Sequence, residues 1–357
     1  MAYVRGLLGA QKRKSIRNIA ALIGGQATEQ SLHHFISDST WEWTPVRRAL
    51  ARHLAGSAPP QAWVIRPMVI PKAGQRTVGV DRSFFPALGQ VLNAQQAIGV
   101  WAATEEMSAP VNWRLHLSRA WLEDRHRRSQ ASIPDHVGVE TLSECAVEAY
   151  VEMMAGWDLP VRPVVMDARE SDAATIVPKL RAARVPHLIR VSSTLRLNVA
   201  DPALPGRRAE PLTAHQIMGA AGDMRRPVIW REHGREADAR TGLAAVVHVG
   251  MPSRPPRLMG GNPPRRGDLF LLGVGDNDRR WPTELWLTDL TDIQPTALLR
   301  LSRLLNRVDQ DFTRIADQVG IRDFAGRSFC GWHRHVTLAS AAHAVAALAD
   351  MSGEELR

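Results

Sequence analysis

Apolar positions recur at helical spacing through residues 1–56. Ser15 stands at an N-cap position ahead of Ile16, Ile19, Ala20 and Ile23, which share one face, and Gly24-Gly25 closes the stretch. A second helix is predicted through Leu32, Phe35 and Ile36. A third places Val46, Ala49, Leu50 and Leu54 inside and Arg47, Arg48 and Arg52 outside. After Pro59-Pro60 the pattern changes. Short apolar runs over Ala62–Ile65, Thr77–Val80 and Ala97–Ala102 predict strands, with turn chemistry over Val69–Gly74. A helix over Leu142–Trp157 precedes a buried-type strand from Val161 that ends in Asp167. A helix over Ala173–Arg184 and a strand over His187–Val191 follow. Strands alternating with helices in this way predict an α/β fold with a central mixed sheet.

From about residue 195 to 290 the composition shifts. Pro, Gly and Arg clusters separate strand candidates at Val228–Arg231, Ala244–Val249, Leu269–Val274 and Glu284–Leu290. The helical pattern then returns. Leu298, Leu301, Leu305, Val308, Phe312, Ile315 and Val319 predict one long helix over 296–319, stopped by Gly320. A last helix is expected over Val336–Met351. The expected organisation is an N-terminal helical region over 1–60 with possible DNA binding, a core over 61–194, a β-rich insertion over 195–290, and the core resumed over 291–357. There is no internal repeat.

No apolar run approaches the roughly 18 to 20 residues that span a bilayer. Near the N-terminus the charges follow the short apolar stretch instead of preceding it, unlike a secretory signal. Cys145 and Cys330 form no CxxC pair, so neither a zinc site nor a disulfide framework is implied. A cytoplasmic protein without a membrane partner is expected. The net charge is +9, and of 45 basic residues only Lys12, Lys14, Lys72 and Lys179 are lysines. An arginine-rich surplus favours polyanions, since guanidinium grips phosphate bidentately. The codon bias of a GC-rich genome gives the same composition.

Four stretches in order resemble one family. They are Gln30 to Trp43 (QSLHHFISDSTWEW), Pro110 to Leu117 (PVNWRLHL) with Trp121, Glu284 to Asp289 (ELWLTD), and Phe324 to Leu338 (FAGRSFCGWHRHVTL). Together they resemble the DDE transposases of bacterial insertion sequences, over about residues 15–348. The resemblance implies a ribonuclease H-like catalytic core, double-stranded DNA as partner, and a homodimer, because transposases bring two element ends together. It also implies three carboxylates holding two divalent metals, Mg2+ or Mn2+. In-line attack on a phosphodiester uses one ion at the nucleophile and one at the leaving oxygen, and hard oxygen ligands suit both.

The match to that ligand set is incomplete. In Trp63 to Lys72 (WVIRPMVIPK), Arg66-Pro67 replaces the expected Asp pair. Asp167 matches the second acid. In Arg307 to Phe312 (RVDQDF), Asp309 stands where a Glu is expected, with Leu305 and Ala316 in place of an Arg and a Lys. Asp167 and Asp309 are thus the remnant triad, and the metal ligands if any ion binds. A fixed charge on Arg66 opposes a dication, so cleavage and strand transfer are expected to be impaired. Asp81, on the strand expected to return beside the first, is a possible substitute ligand, or a surface acid pairing with Arg76 or Arg82.

Arg47, Arg48, Arg52, Lys72, Arg327, Trp332 and His333 are the candidate DNA contacts. Two histidines in Trp332-His333-Arg334-His335 suggest metal ligation if the stretch is a strand or turn, and structural support otherwise. Trp230 and Trp281 are candidates for stacking on a flipped base, or for core packing. Glu170 and Asp172 suit a helix N-terminus. Gly24-Gly25 and Gly260-Gly261 lack the GK[ST] of a phosphate loop. Three functions follow. The first is a DNA-binding transposase relative with impaired chemistry. The second is an active enzyme using Asp81, Asp167 and Asp309. The third is a repurposed pocket binding a small anion or performing non-DNA chemistry.

Overall fold

The computed structural model describes residues 2–24, 28–204, 210–231, 239–252, 269–275 and 281–353. Gly25 and Gly260-Gly261 lie outside them. The chain divides into two compact units, one of Met1–Pro60, Ile65–Pro160 and Asn306–Arg357, the other of Gln61–Val64 and Val161–Leu305.

The first unit opens with α1 (Ala2–Gly9), α2 (Ile16–Ile23), α3 (Glu29–His33) and α4 (Trp43–Ser57). Ser15 caps α2 by accepting from the Asn18 amide, and Gly24, at φ 64°, ends it. In α4 the buried positions are Arg47, Ala51 and Leu54, and Ala49 faces solvent. The inward stripe is therefore displaced from the expected one, and it takes in an arginine.

Strands β1 (Ala62–Pro71), β2 (Val80–Phe85), β3 (Gln90–Ala103) and β4 (Ser108–His116) follow. β1 runs through Val69–Pro71, where a turn was expected. β3 is long enough to pair antiparallel with both hairpin neighbours, through Gln90–Gln95 with β2 and through Gln96–Ala103 with β4. On its other edge lies β1, in the order β2-β3-β1. Two short helices, α5 (Arg119–Leu122) and α6 (Arg125–Gln130), lead to α7 (Leu142–Gly156). Thr141 and Glu144 close a capping box at its start.

The second unit carries β5 (Val164–Asp167), α8 (Ala173–Ala182), β6 (His187–Arg190), β7 (Arg196–Val199), β8 (Leu212–Thr213), α9 (Ala214–Ala220), β9 (Arg226–Arg231), β10 (Ala239–Gly250), β11 (Leu269–Gly275), β12 (Glu284–Thr288) and α10 (Pro295–Ser302). Its sheet order is β1-β5-β6-β12-β11-β10-β7-β8, with β9 on β10. β5 and β6 are parallel across the α8 crossover, whereas β12, β11 and β10 are antiparallel. The expected strands between 195 and 290 thus extend the sheet that begins at β5. Val164, Val165 and Met166 are buried on both faces, as a parallel strand requires. Asp172 caps α8, accepting from the Ala174 amide at 3.0 Å and the Thr175 hydroxyl at 2.5 Å. Asp172→Ala is expected to destabilise this unit by about 1 kcal/mol, read as a lowered urea midpoint; an unchanged midpoint would contradict the cap.

Back in the first unit, α11 (Leu304–Asp311) continues into one π turn, Phe312–Ala316, and Gly320 adopts φ 73°. The single helix expected over 296–319 is interrupted at Arg303, where the Ser302 hydroxyl donates to the Leu299 carbonyl at 2.8 Å and competes with the helical ladder. The last helix, α12 (Phe329–Ser352), starts earlier than expected because Ser328 caps it through the Gly331 amide. Much of its length is buried, so apolar periodicity identifies it poorly. A mixed α/β fold with a large sheet flanked by helices is therefore present, consistent with a ribonuclease H-like core. Among the described residues no helix is long and apolar enough to cross a membrane.

Candidate functional site

Arg66 and Asp309, the residues expected at the first and third acid positions, meet in the first unit. Trp63, Val64 and Ile65 are buried, and Arg66 is the first residue of β1 to emerge. Its Nε donates to Asp309 Oδ1 at 2.8 Å and its Nη1 to the Pro67 carbonyl at 3.1 Å. The guanidinium carbon lies 3.8 Å from the centroid of Phe312. Helical spacing puts Phe312 three residues beyond Asp309, so the carboxylate and the ring hold the same guanidinium from two sides. Arg322 lies 5.5 Å from that ring and donates to Asp317 at 2.6 Å. Asp311, two residues from Asp309, turns inward and is 1% exposed, accepting from the Ser108 amide at 2.7 Å and its hydroxyl at 2.9 Å. Of these neighbouring acids the exposed one faces Arg66 and the buried one ties α11 to β4. A cavity of about 580 Å³ is lined by Arg307, Asp309, Gln310, Thr313 and Arg314.

Asp167 ends β5 in the second unit, in register with Arg190 on β6. Arg169 grips its carboxylate, with Nε 3.0 Å from each oxygen and Nη2 2.7 Å from Oδ2. That bond pushes the Arg169 guanidinium above its ordinary pKa. Arg190 reaches Asp167 at 3.8 Å and Glu284 at 3.8 Å, and Glu284 also accepts from Arg303 at 2.9 Å and from the Trp286 indole at 3.0 Å. Three guanidinium groups thus surround two carboxylates.

This donor set does not fit a divalent metal. Arg66, expected at the first ligand position, donates to Asp309, expected at the third, and Asp167, expected at the second, is held bidentately by Arg169 in its own unit. Among the described residues, no three His, Cys, Asp or Glu side chains are grouped to hold an ion. Asp81 does not repair the set. It pairs with Ala94 of β3, and β3 stands between β2 and β1, so Asp81 is not opposite Arg66.

The expected DNA contacts separate by burial. Arg47 is 2% exposed and donates to Thr337 Oγ1 at 2.7 Å, Asn112 Oδ1 at 3.1 Å, and the Trp113 and His333 carbonyls at 2.7 and 3.2 Å. Its Nη2 also donates to His333 Nδ1 at 3.0 Å. His333 stacks on Trp43 with ring centroids 4.8 Å apart, and Trp332 is fully buried. Arg47, Trp332 and His333 are core residues here, out of reach of a duplex. Because the stretch is helical, His333 and His335 diverge. His335 accepts from the Tyr3 hydroxyl and donates to the Gly320 carbonyl, both at 2.9 Å, so the pair forms no metal site. Lys72 is half-buried and donates to the Phe324 carbonyl at 2.6 Å, and burial, helped by Arg13, lowers its pKa to about 8. Arg48, Arg52 and Arg327 are exposed, Arg52 donating to the Trp157 carbonyl at 2.8 Å. Trp230 is buried beneath Arg303, and Trp281 is half-buried with Arg225 over its ring.

Arg169, Arg190, Phe312 and Arg322 were not anticipated. Arg169 was open to inference, since it stands two residues beyond Asp167, and parallel β5–β6 register pointed to Arg190. Arg322 had no comparable signal, because its relation to Phe312 depends on the π turn.

Residues 1–254 match the family described as DDE superfamily endonuclease, a span that includes Arg66 and Asp167 and stops before Asp309. No curated protein matches the chain. With the match covering most of its length and the mixed sheet placing Arg66 and Asp167 at strand positions, this chain belongs to the DDE superfamily endonucleases and is transposase-like.

Proposed function

We propose that the protein binds double-stranded DNA and has lost, or nearly lost, metal-dependent cleavage and strand transfer. The observation that carries this reading is the Arg66–Asp309 pair at 2.8 Å, an internal ion pair between the residues expected at two of the ligand positions. At an effective dielectric of about 20, unit charges about 4 Å apart interact by roughly 4 kcal/mol, and a dication feels about twice that repulsion from a guanidinium that cannot shed its proton. Asp167 supports the same reading, because its bidentate bond to Arg169 occupies the oxygens an ion would need. The arginine surplus and the exposed Arg48, Arg52 and Arg327 support DNA affinity without the active centre.

Two assays on the purified full chain test this. Duplex affinity is expected to fall steeply with salt. Supercoiled plasmid with manganese is expected to remain intact for the wild type and for Asp167→Ala alike. Manganese-dependent nicking that disappears in Asp167→Ala overturns the loss of cleavage.

A further inference from the structure

We infer that Arg66 is a contact for a backbone phosphate of double-stranded DNA and that Asp309 is its internal competitor, an inference that rests on the DNA-binding reading above. An arginine at a former metal position is usually taken as damage. Here it is built into place. The Phe312 ring holds the guanidinium at 3.8 Å independently of Asp309, so losing the carboxylate leaves the cation positioned. Nε is occupied by Asp309 and Nη1 by the Pro67 carbonyl, and Nη2 has no hydrogen-bond partner among the described residues.

The Asp309 side chain is 64% exposed, against 23% for Arg66. An ion pair with one partner so open to water contributes little, so an incoming anion displaces the carboxylate at small loss. A phosphodiester presents the same two-oxygen edge to the guanidinium that a carboxylate does. Asp309 therefore occupies the donor that a phosphate would take.

The surroundings suit a polyanion that brings its own charge. Arg322 lies over the same Phe312 ring, opposed by Asp317. The adjoining cavity is lined by Arg307 and Arg314, which face the buried Asp311 at 3.5 and 3.7 Å, and Arg314 also faces Asp350 at 3.2 Å. Arg307 and Arg314 share the buried Asp311, whereas the carboxylate facing Arg66 is the well-exposed Asp309. Asp311 is buried and hydrogen-bonded, and it stays in place.

The test is the affinity of a short labelled random-sequence duplex, by fluorescence anisotropy across a salt series. The proteins are wild type, Asp309→Asn, Arg66→Gln and the double variant. At low salt Asp309→Asn is expected to tighten binding about threefold or more and to steepen the log–log salt slope by up to about 0.9, the value for one phosphate. Arg66→Gln is expected to weaken binding, and the double variant to bind like Arg66→Gln alone. An equal gain from Asp309→Asn with and without Arg66 would reduce the effect to net charge and overturn the inference. So would no gain while the wild type binds, and the DNA-binding reading then survives. Binding by Asp309→Asn but not by the wild type upholds the competitor and refutes DNA binding by the native chain. No binding by any of the four overturns both.

Discussion

Acidification from neutral pH is expected to unfold the first unit by about pH 5. Three histidines of α12, His333, His335 and His343, are buried and hydrogen-bonded as neutral rings. His343 donates from Nε2 to the Ser108 carbonyl at 2.8 Å, and His333 receives Arg47 at Nδ1. Burial lowers the pKa of His335 and of His343 to about 4, and holds His333 well below its ordinary value with Arg47 adding to the effect. In the unfolded chain each returns to about 6.5. Between those values the unfolded state binds more protons, so stability rises with pH there. The contribution is complete above about pH 6.5 and is lost as pH falls toward about 4. Each histidine supplies up to about 1.4 kcal/mol per pH unit, and the three together about 4, against a total stability of about 5–15 kcal/mol. Tryptophan fluorescence and circular dichroism at graded urea should show the midpoint collapsing by about pH 5. His343→Gln should flatten the slope by about a third. A midpoint unchanged between about pH 7 and 5 would refute the neutral-ring assignment.

Arg47→Ala is expected to be the most damaging single substitution in α4. The guanidinium satisfies Thr337, Asn112, Trp113 and His333 from inside the first unit, and among the described residues it forms no ion pair with a carboxylate. Burial lowers its pKa to about 9, so it remains charged at neutral pH, held by neutral acceptors. Truncation leaves several buried acceptors unpaired at roughly 1–3 kcal/mol each. A net loss of about 3–5 kcal/mol is expected, as when one member of a buried polar group is removed. Arg47→Lys should not rescue it, since one ammonium cannot span acceptors on β4 and α12 together. Arg48→Ala, on the exposed side of the same helix, should stay within about 0.5 kcal/mol of wild type. Urea titration distinguishes the two, and an Arg47→Ala loss below about 1 kcal/mol would contradict the buried role.

The two arginines show why composition misleads here. Adjacent in sequence and identical in chemistry, Arg47 and Arg48 read alike as phosphate contacts. One turned out to organise the core. Local spacing could not separate them, because the inward face of α4 is set by where β4 and α12 lie. Asp309 and Asp311 pose the same problem. Both stand in the same short motif, and only the packing of Ser108 against α11 decides which is buried.

The sequence by itself determined most of the element types, because capping residues and apolar runs act over a few neighbours. Ser15, Asp172 and the Val164–Met166 run did in the structure what their chemistry requires. The order of residues in a motif also led to the expectation that Arg66 stands at the first acid position. Tertiary structure alone decided what Arg66 touches. Its partners Asp309 and Phe312 are more than two hundred residues away, and no local rule encodes that proximity. The same holds for Asp81, which lost its assigned neighbour when β3, not β2, took the place beside β1. Strand order is settled by which pairings bury the most apolar surface across the whole sheet, a global competition that a linear pattern does not record.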